Sequence, residues 1–132
     1  MSRESSSSIR VRYAETDQMG VAWHGNVFAW FEIGRTDLLR GLGTSYRELE
    51  AQGVRLPVVE AGARYVRPLL YDDVVEVRTR LSRHSGARVA FDYELRREGS
   101  DEALVTGFTA HAAIDDRGRP RRLPPQLRRL LS

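Results

Sequence analysis

Residues 26–43 read NVFAWFEIGRTDLLRGLG, and this stretch decides the fold. Five of its residues recur at steps of four, three, four and four, the spacing of one helical face: Val27, Phe31, Gly34, Leu38 and Leu42. Phe28, Trp30 and Leu39 make the apolar surface broader than a stripe. A helix of about 16 residues with so much apolar surface is expected to be covered by other elements on most sides.

The sequence marks both ends of this helix. Asn26 is a favourable N-cap residue, and Gly41 and Gly43 are typical of a helix C-terminus. A second, shorter helix is predicted in the following segment TSYRELEAQG, and Gly53 closes it.

After Gly53 the chain changes to a β pattern. Four segments are predicted to be strands: LPVVEAGARYVRPL, DVVEVRTRLSRHS, ARVAFDYELRREG and ALVTGFTAHAAID. In the second of them Val75, Val77, Thr79 and Leu81 share one side, which is the period of two of a sheet with one covered face. Because the connections are short, successive strands are expected to be antiparallel neighbours.

A fifth, short strand is predicted at IRVRY near the start, so the order is strand, buried helix, then four strands. This order predicts one α+β domain over residues 1–132, in which an antiparallel sheet curls around the helix. The polar, serine-rich start MSRESSSSIR predicts a flexible segment at residues 1–7.

Composition excludes several kinds of chemistry. The 132 residues include no cysteine, which excludes disulfides, thiolate zinc sites and a cysteine nucleophile. All 21 basic residues are arginine, so a lysine Schiff base is excluded while guanidinium groups suited to phosphate are abundant. His24, His84 and His111 have no metal-ligand spacing, and no metal site is predicted.

Charge and hydropathy bear on the partners. No run of about 18 apolar residues and no signal peptide are present, so we expect a soluble, cytoplasmic protein without integral membrane association. The net charge is +3, and only the tail RGRPRRLPPQLRRLLS is locally basic. We interpret that tail as a solvated segment and expect no nucleic-acid partner.

Residues 12–26, RYAETDQMGVAWHGN, place many polar groups between two apolar runs. Amides at a helix start have no intrahelical partner, so those of His24, Gly25 and Asn26 could stabilise a carbonyl oxygen that gains negative charge. Gly25 would also let a ligand approach the backbone. Asp17, returned by a tight turn, supplies a carboxylate that could attack a carbonyl or activate water. A nucleophile or base beside an oxyanion site is typical of acyl transfer.

Each of these groups also has a structural interpretation. Asp17 is followed three residues later by Gly20, a common turn pattern, so its carboxylate could serve the turn alone. His24 could be only a hydrogen-bonding residue near the helix, and Asn26 only its cap. The spacing leaves these alternatives open.

The segment VRYAETDQMGVAWHGNVFAWFEIGRTDLLR resembles the signature of the 4-hydroxybenzoyl-CoA thioesterase-like branch of the hotdog-fold thioesterases, which includes the YbgC-type acyl-CoA thioesterases. The resemblance implies a five-stranded antiparallel sheet wrapped around one long central helix. It also implies dimers and often tetramers, with acyl-CoA bound at the subunit interface and no metal or cofactor.

The resemblance also assigns residues. The family's catalytic carboxylate falls on Asp17, and the backbone amide that polarises the thioester carbonyl falls at His24. Five residues of the matched segment are predicted walls of the acyl and pantetheine pocket: Tyr13, Gly20, Trp23, Gly25 and Asn26. Another hotdog branch places its acid on the central helix after His-Gly-Gly. Here the motif is His-Gly-Asn, so Glu32 is expected instead to be a partly buried group facing a dimer partner.

The remaining expectations concern the substrate. Arg83, Ser85 and Arg88 surround a turn between two strands, where they could contact the phosphates of CoA or serve only in surface ion pairs. The aromatic residues at 23, 28, 30 and 31 suggest a bounded pocket for an aromatic or short-to-medium acyl group, while some of them are expected to pack under the sheet instead. The sequence predicts an acyl-CoA thioesterase, and the alternative is a non-catalytic acyl-CoA or acyl-carrier-protein binding protein of the same fold.

Overall fold

The central helix forms as its spacing predicts. The computed structural model describes residues 3–132, and helix α1 spans Asn26–Gly41. All five residues of the predicted face are buried, as are Trp30 and Leu39, whereas Phe28 is 37% exposed. The other elements, in chain order, are β1 Glu4–Arg10, a 3₁₀ turn Tyr13–Glu15, α2 Tyr46–Ala51, β2 Val58–Tyr65, β3 Val74–Ser85, β4 Arg88–Arg97, β5 Ala103–Ala112 and α3 Pro125–Leu131.

The five strands form one antiparallel sheet in the order β1-β3-β4-β5-β2. The predicted inner side of β3 is buried from Val75 to Leu81. On the opposite side of β3 and β4, arginines pair with acids, as between Arg80 and Asp92. One face of the sheet therefore covers α1, and the α+β fold class is confirmed.

Small residues allow α1 to approach the sheet closely. A Cβ added at Gly34 would overlap Thr79 Oγ1 and lie 2.9 Å from Val77 Cγ1. The ring of Phe31 stacks on Tyr93 of β4, with ring centres 4.2 Å apart. The sheet thus curves around the helix at van der Waals distance.

The predicted adjacency of β2 and β3 is wrong, since β2 lies at the far edge beside β5. Residues 66–73 do not form a hairpin, because their backbone groups bond to other segments. Ala22 donates to the Leu69 carbonyl, Tyr71 donates to the Gly20 carbonyl, and Val11 donates to the Asp73 carbonyl. These bonds hold residues 66–73 beside the segment before α1, where they connect β2 at one edge of the sheet to β3 near the other edge.

Both ends of the described chain, residues 3–132, contain secondary structure that the sequence did not predict. Residues 4–7 were expected to be flexible but belong to β1. They pair with β3 through backbone hydrogen bonds, which do not depend on apolar side chains. The Ser7 hydroxyl also donates to the Asp37 carboxylate of α1 at 2.7 Å. Residues 1–2 lie outside the described residues. The basic tail contains α3, whose Leu127 and Leu131 are buried together with Leu123. Leucines at steps of four share one helical face, so the tail is not wholly solvated.

Candidate active site

A tight hairpin at residues 16–22 presents Asp17. Thr16 and Ala22 form its bridge, and the amide of Asp17 donates to the Val21 carbonyl. The carboxylate Oδ1 of Asp17 accepts from the amides of Met19 at 2.8 Å and Val21 at 3.2 Å. Within residues 3–132, no group donates to its Oδ2. Asp17 therefore stabilises the turn and also has one free carboxylate oxygen.

Glu15 connects this hairpin to the start of α1. Its carboxylate accepts from the Arg12 amide and from Trp30 Nε1 on the helix, at 2.7 and 3.2 Å. Its carbonyl accepts from the Trp23 amide at 2.8 Å and from Asn26 Nδ2 at 2.6 Å. The prediction of Asn26 as N-cap is wrong: Gly25 occupies that position, and the Asn26 side chain ties the helix to Glu15 instead.

We call residues 24–26 the helix mouth. Among the described residues, the amides of His24 and Gly25 donate to no acceptor, whereas the Asn26 amide bonds to the Trp23 carbonyl. Both free amides lie at the positive end of a 16-residue helix. The tyrosine hydroxyl of Tyr65, at the end of β2, donates to the His24 carbonyl at 2.7 Å.

A cleft of about 360 Å³ contains the hairpin carboxylate and reaches the helix mouth. Three predicted site residues line it: Asp17, Trp23 and His24. The other lining residues are Val21, Ala22, Val27, Tyr65, Val66, Arg67, Pro68, Leu69 and Val105. A few polar residues, among them Asp17, His24 and Tyr65, thus line a mainly apolar cleft, the usual character of a small-molecule site.

Four of the five predicted pocket walls do not line this cleft. Tyr13 is 77% exposed and lies edge-on to Tyr71, with ring centres 5.6 Å apart. Gly20 has a φ of 77° and serves the hairpin turn. Gly25 does not admit a ligand beside its Cα, because a Cβ there would overlap the indole of Trp23.

The predicted aromatic residues do not all line the cleft, and the alternative acid lies outside it. Trp30 and Phe31 are in the core, and Phe28 does not line the cleft, so Trp23 alone of the four predicted aromatic residues does. Glu32 is exposed on α1 and lies outside the cleft.

The predicted phosphate contacts lie elsewhere on the chain. Arg83, Ser85 and Arg88 line a separate open groove of about 620 Å³ that includes Val59 of β2. Val59 and Tyr65 stand near opposite ends of β2, about 20 Å apart at the rise of a strand. Within one chain, these arginines do not reach the Asp17 cleft.

Sequence reasoning missed the wall formed by residues 65–69. Burial raises the pKa of Tyr65, whose protonated hydroxyl donates to the His24 carbonyl. The one signal was the apolar run at the end of a predicted strand. Its position beside the helix mouth depends on β2 being the edge strand, which the pattern does not reveal.

The described residues include no group of three or more potential ligands arranged for a metal ion. Across residues 3–132, no helix has the length and apolar character needed to cross a membrane.

Comparison with known proteins decides the family. The model of the thioesterase-like superfamily matches residues 11–131, which includes the hairpin, the helix mouth and the whole cleft wall. The chain belongs to this superfamily. This chain is 36% identical over 111 residues to YneP of Bacillus subtilis (strain 168), which is provisionally named an acyl-CoA thioesterase. The alignment covers 84% of this chain and 80% of YneP.

Two further relatives agree with this family. The acyl-CoA thioesterase YbgC of Haemophilus influenzae is 31% identical over 112 residues, covering 84% of the thioesterase-like chain and 80% of YbgC. The crystal structure of DHNA-CoA thioesterase from Staphylococcus aureus has a TM-score of 0.91 and 37% identity, covering 96% of this chain and 87% of that one. The predicted hotdog fold and membership of the YbgC-type family are confirmed.

Proposed function

We propose that this protein hydrolyses an acyl-CoA thioester to a free carboxylic acid and CoA. The observation that carries the proposal is a mainly apolar cleft lined by both Asp17 and His24, at a helix start with unpaired amides. Relatives that share most of the chain are named as thioesterases of CoA esters.

In the proposed reaction the thioester carbonyl oxygen accepts from the helix-mouth amides, chiefly that of His24. Asp17 Oδ2 then attacks the carbonyl carbon to give an acyl-aspartyl anhydride, or removes a proton from a water that attacks it. The C–S bond breaks, and CoA leaves as a thiolate that takes up a proton. In the anhydride route, water then releases the acid and regenerates the carboxylate. No cofactor takes part in either route.

The proposal includes a second copy of the chain. The outer edge of β2 has no strand partner within the described residues, and Val58 and Val59 on it are about half exposed. Antiparallel pairing of two β2 edges would bring the Val59 end of one chain beside the Tyr65 end of the other. Arg83 and Arg88 of one chain would then approach the cleft of the other, where CoA phosphates could bind.

We further propose that two such dimers form a tetramer, and that the enzyme acts in the cytoplasm, where CoA thioesters are made and used. Light scattering on purified protein tests the assembly. A 15.0 kDa species that hydrolyses acyl-CoA at full rate would exclude a site shared between copies.

A substrate panel tests the reaction. Acetyl- to palmitoyl-CoA, with benzoyl, hydroxybenzoyl and phenylacetyl esters, are assayed by release of free thiol, and the matching p-nitrophenyl esters are assayed in parallel. A cleft of about 360 Å³ favours aromatic or short-to-medium acyl groups. A thiolate leaves more readily than an alkoxide, so thioesters are expected to react faster than oxygen esters. Binding without turnover of any thioester would support the non-catalytic alternative.

Substitution of Asp17 tests the mechanism. Asp17→Asn retains the shape and the Oδ1 contacts of the turn but removes the charge, so turnover is expected to fall by about 100-fold or more. The matched control is Glu32→Gln, which removes a carboxylate on α1 outside the cleft and is expected to retain activity. Normal turnover in Asp17→Asn with loss in Glu32→Gln would move the acid to the helix.

A further inference from the structure

Tyr65 is the one side chain among the described residues that hydrogen-bonds to the helix mouth from another element. It ends β2, 41 residues along the chain from His24, and its hydroxyl donates to the His24 carbonyl at 2.7 Å. The rings of Tyr65 and His24 meet edge-on, with centres 6.2 Å apart. The carbonyl also receives the Val27 amide, but at 3.4 Å, so the hydroxyl is the closer donor.

This bond acts on a peptide group that also carries a free amide. The His24 carbonyl and the Gly25 N–H belong to one planar trans peptide, in which the two groups point in opposite directions. A donor that fixes the carbonyl therefore fixes the direction of the Gly25 N–H. Hydrogen bonding to the carbonyl also polarises the peptide and strengthens its N–H as a donor.

We propose that Tyr65 is a positioning residue, whose hydroxyl holds the His24–Gly25 peptide so that the His24 amide of the helix mouth faces a developing oxyanion. The inference rests on the proposed thioesterase function and deepens it. Because Gly25 does not line the cleft, the oxyanion donor that this contact orients is the adjoining His24 amide, and Tyr65 acts through the backbone rather than on the substrate.

Tyr65→Phe tests the inference because it removes only the hydroxyl. The kcat for the best CoA thioester is expected to fall about tenfold, the effect of losing one hydrogen bond that orients the transition state, with KM unchanged. Affinity for a CoA thioether with the same chain but no carbonyl is also expected to be unchanged. If Tyr65 were only a wall of the cleft, thioether binding would weaken together with turnover.

The matched control is Tyr71→Phe, which removes a tyrosine hydroxyl that has no hydrogen bond within residues 3–132. Turnover by this variant is expected to equal wild type. A second readout needs no activity: the ¹⁵N resonance of the Gly25 amide is expected to shift in Tyr65→Phe and not in Tyr71→Phe.

An unchanged kcat or an unchanged Gly25 resonance in Tyr65→Phe overturns the inference. Its failure can be told from failure of the proposed function. If Asp17→Asn is inactive while Tyr65→Phe is normal, the thioesterase proposal stands and the role of Tyr65 does not. If the wild-type protein hydrolyses no thioester, both proposals are wrong.

Discussion

At the residue scale, His111 is a fully buried titratable group, and its partners determine its tautomer. Nδ1 lies 2.9 Å from the Leu56 carbonyl, which only accepts, so Nδ1 carries the proton. Nε2 must therefore accept from Thr109 Oγ1 at 2.8 Å. The Thr109 hydrogen is thus committed, so Tyr93 donates to Thr109 at 2.6 Å. A second proton, on Nε2, would reverse the bond to Thr109 and require the Thr109 hydroxyl to reorient.

Burial lowers the pKa of His111 to about 4, although its bond to Leu56 acts in the opposite direction. The folded protein thus binds this proton more weakly than the unfolded chain, whose histidine pKa is near 6.5. The contribution to stability is complete above pH 6.5 and is lost as the pH falls towards 4. The loss in unfolding free energy between neutral pH and pH 4 is about 3 kcal/mol.

Urea unfolding of wild type and His111→Gln, at several pH values between 7 and 4, measures this contribution. Glutamine retains hydrogen-bonding groups but does not titrate in this range. We expect the variant to be less stable at pH 7 and to lose less stability on acidification. Parallel stability curves for the two proteins would show that His111 does not account for the acid sensitivity.

At the element scale, the contact between α1 and β3 depends on Gly34. The buried hydroxyl of Thr79 lies where a Cβ of residue 34 would be and has no hydrogen-bond partner among the described residues. Gly34→Ala would improve helix propensity by about 1 kcal/mol. It would also force α1 away from β3, and overpacking of this kind costs about 1–3 kcal/mol.

We therefore expect Gly34→Ala to lower the thermal midpoint. Gly41→Ala, at the last residue of the same helix, meets no atom within 4 Å and is expected to retain or raise it. Thr79→Ala in the Gly34→Ala background removes the overlapping oxygen and should recover part of the loss. Calorimetry of the four proteins measures these effects, and a stabilised Gly34→Ala would show that the helix shifts without cost.

The periodicity of apolar residues in the sequence correctly predicted the elements that have one buried face. The face of α1 and the alternation of β3 gave the helix bounds to within one residue and the correct inner side. β1 was predicted at residues 9–13 but spans Glu4–Arg10, and α3 was missed. Serine-rich β1 depends on backbone pairing with β3, and α3 is a seven-residue helix whose buried residues are Leu127 and Leu131. Neither condition produces a strong local pattern.

At the scale of the whole molecule, the site was predicted where its residues are adjacent in sequence. Asp17, Trp23 and His24 come from one segment and line one cleft. Tyr65 reaches that cleft only because β2 lies at the edge of the sheet, and this adjacency is a property of topology. Arg83 lies in a separate groove for the same reason, because its position relative to the cleft is set by the strand order.

The strand order also determines how the chain can fold. β3, β4 and β5 form a meander with short turns, whereas pairs such as Ser7 with Val77 and Ala63 with Gly107 close long loops. Closing a long loop costs conformational entropy before its contacts form. We therefore expect the β3–β4–β5 meander to form the folding nucleus, and β1 and β2 to pair after the rate-limiting step. Leu95→Ala in β4 should then slow folding with a φ-value of about 0.5 or more, whereas Ile9→Ala in β1 should mainly accelerate unfolding with a φ-value near zero. The edge strand that completes the cleft is thus expected to be among the last parts of the molecule to form.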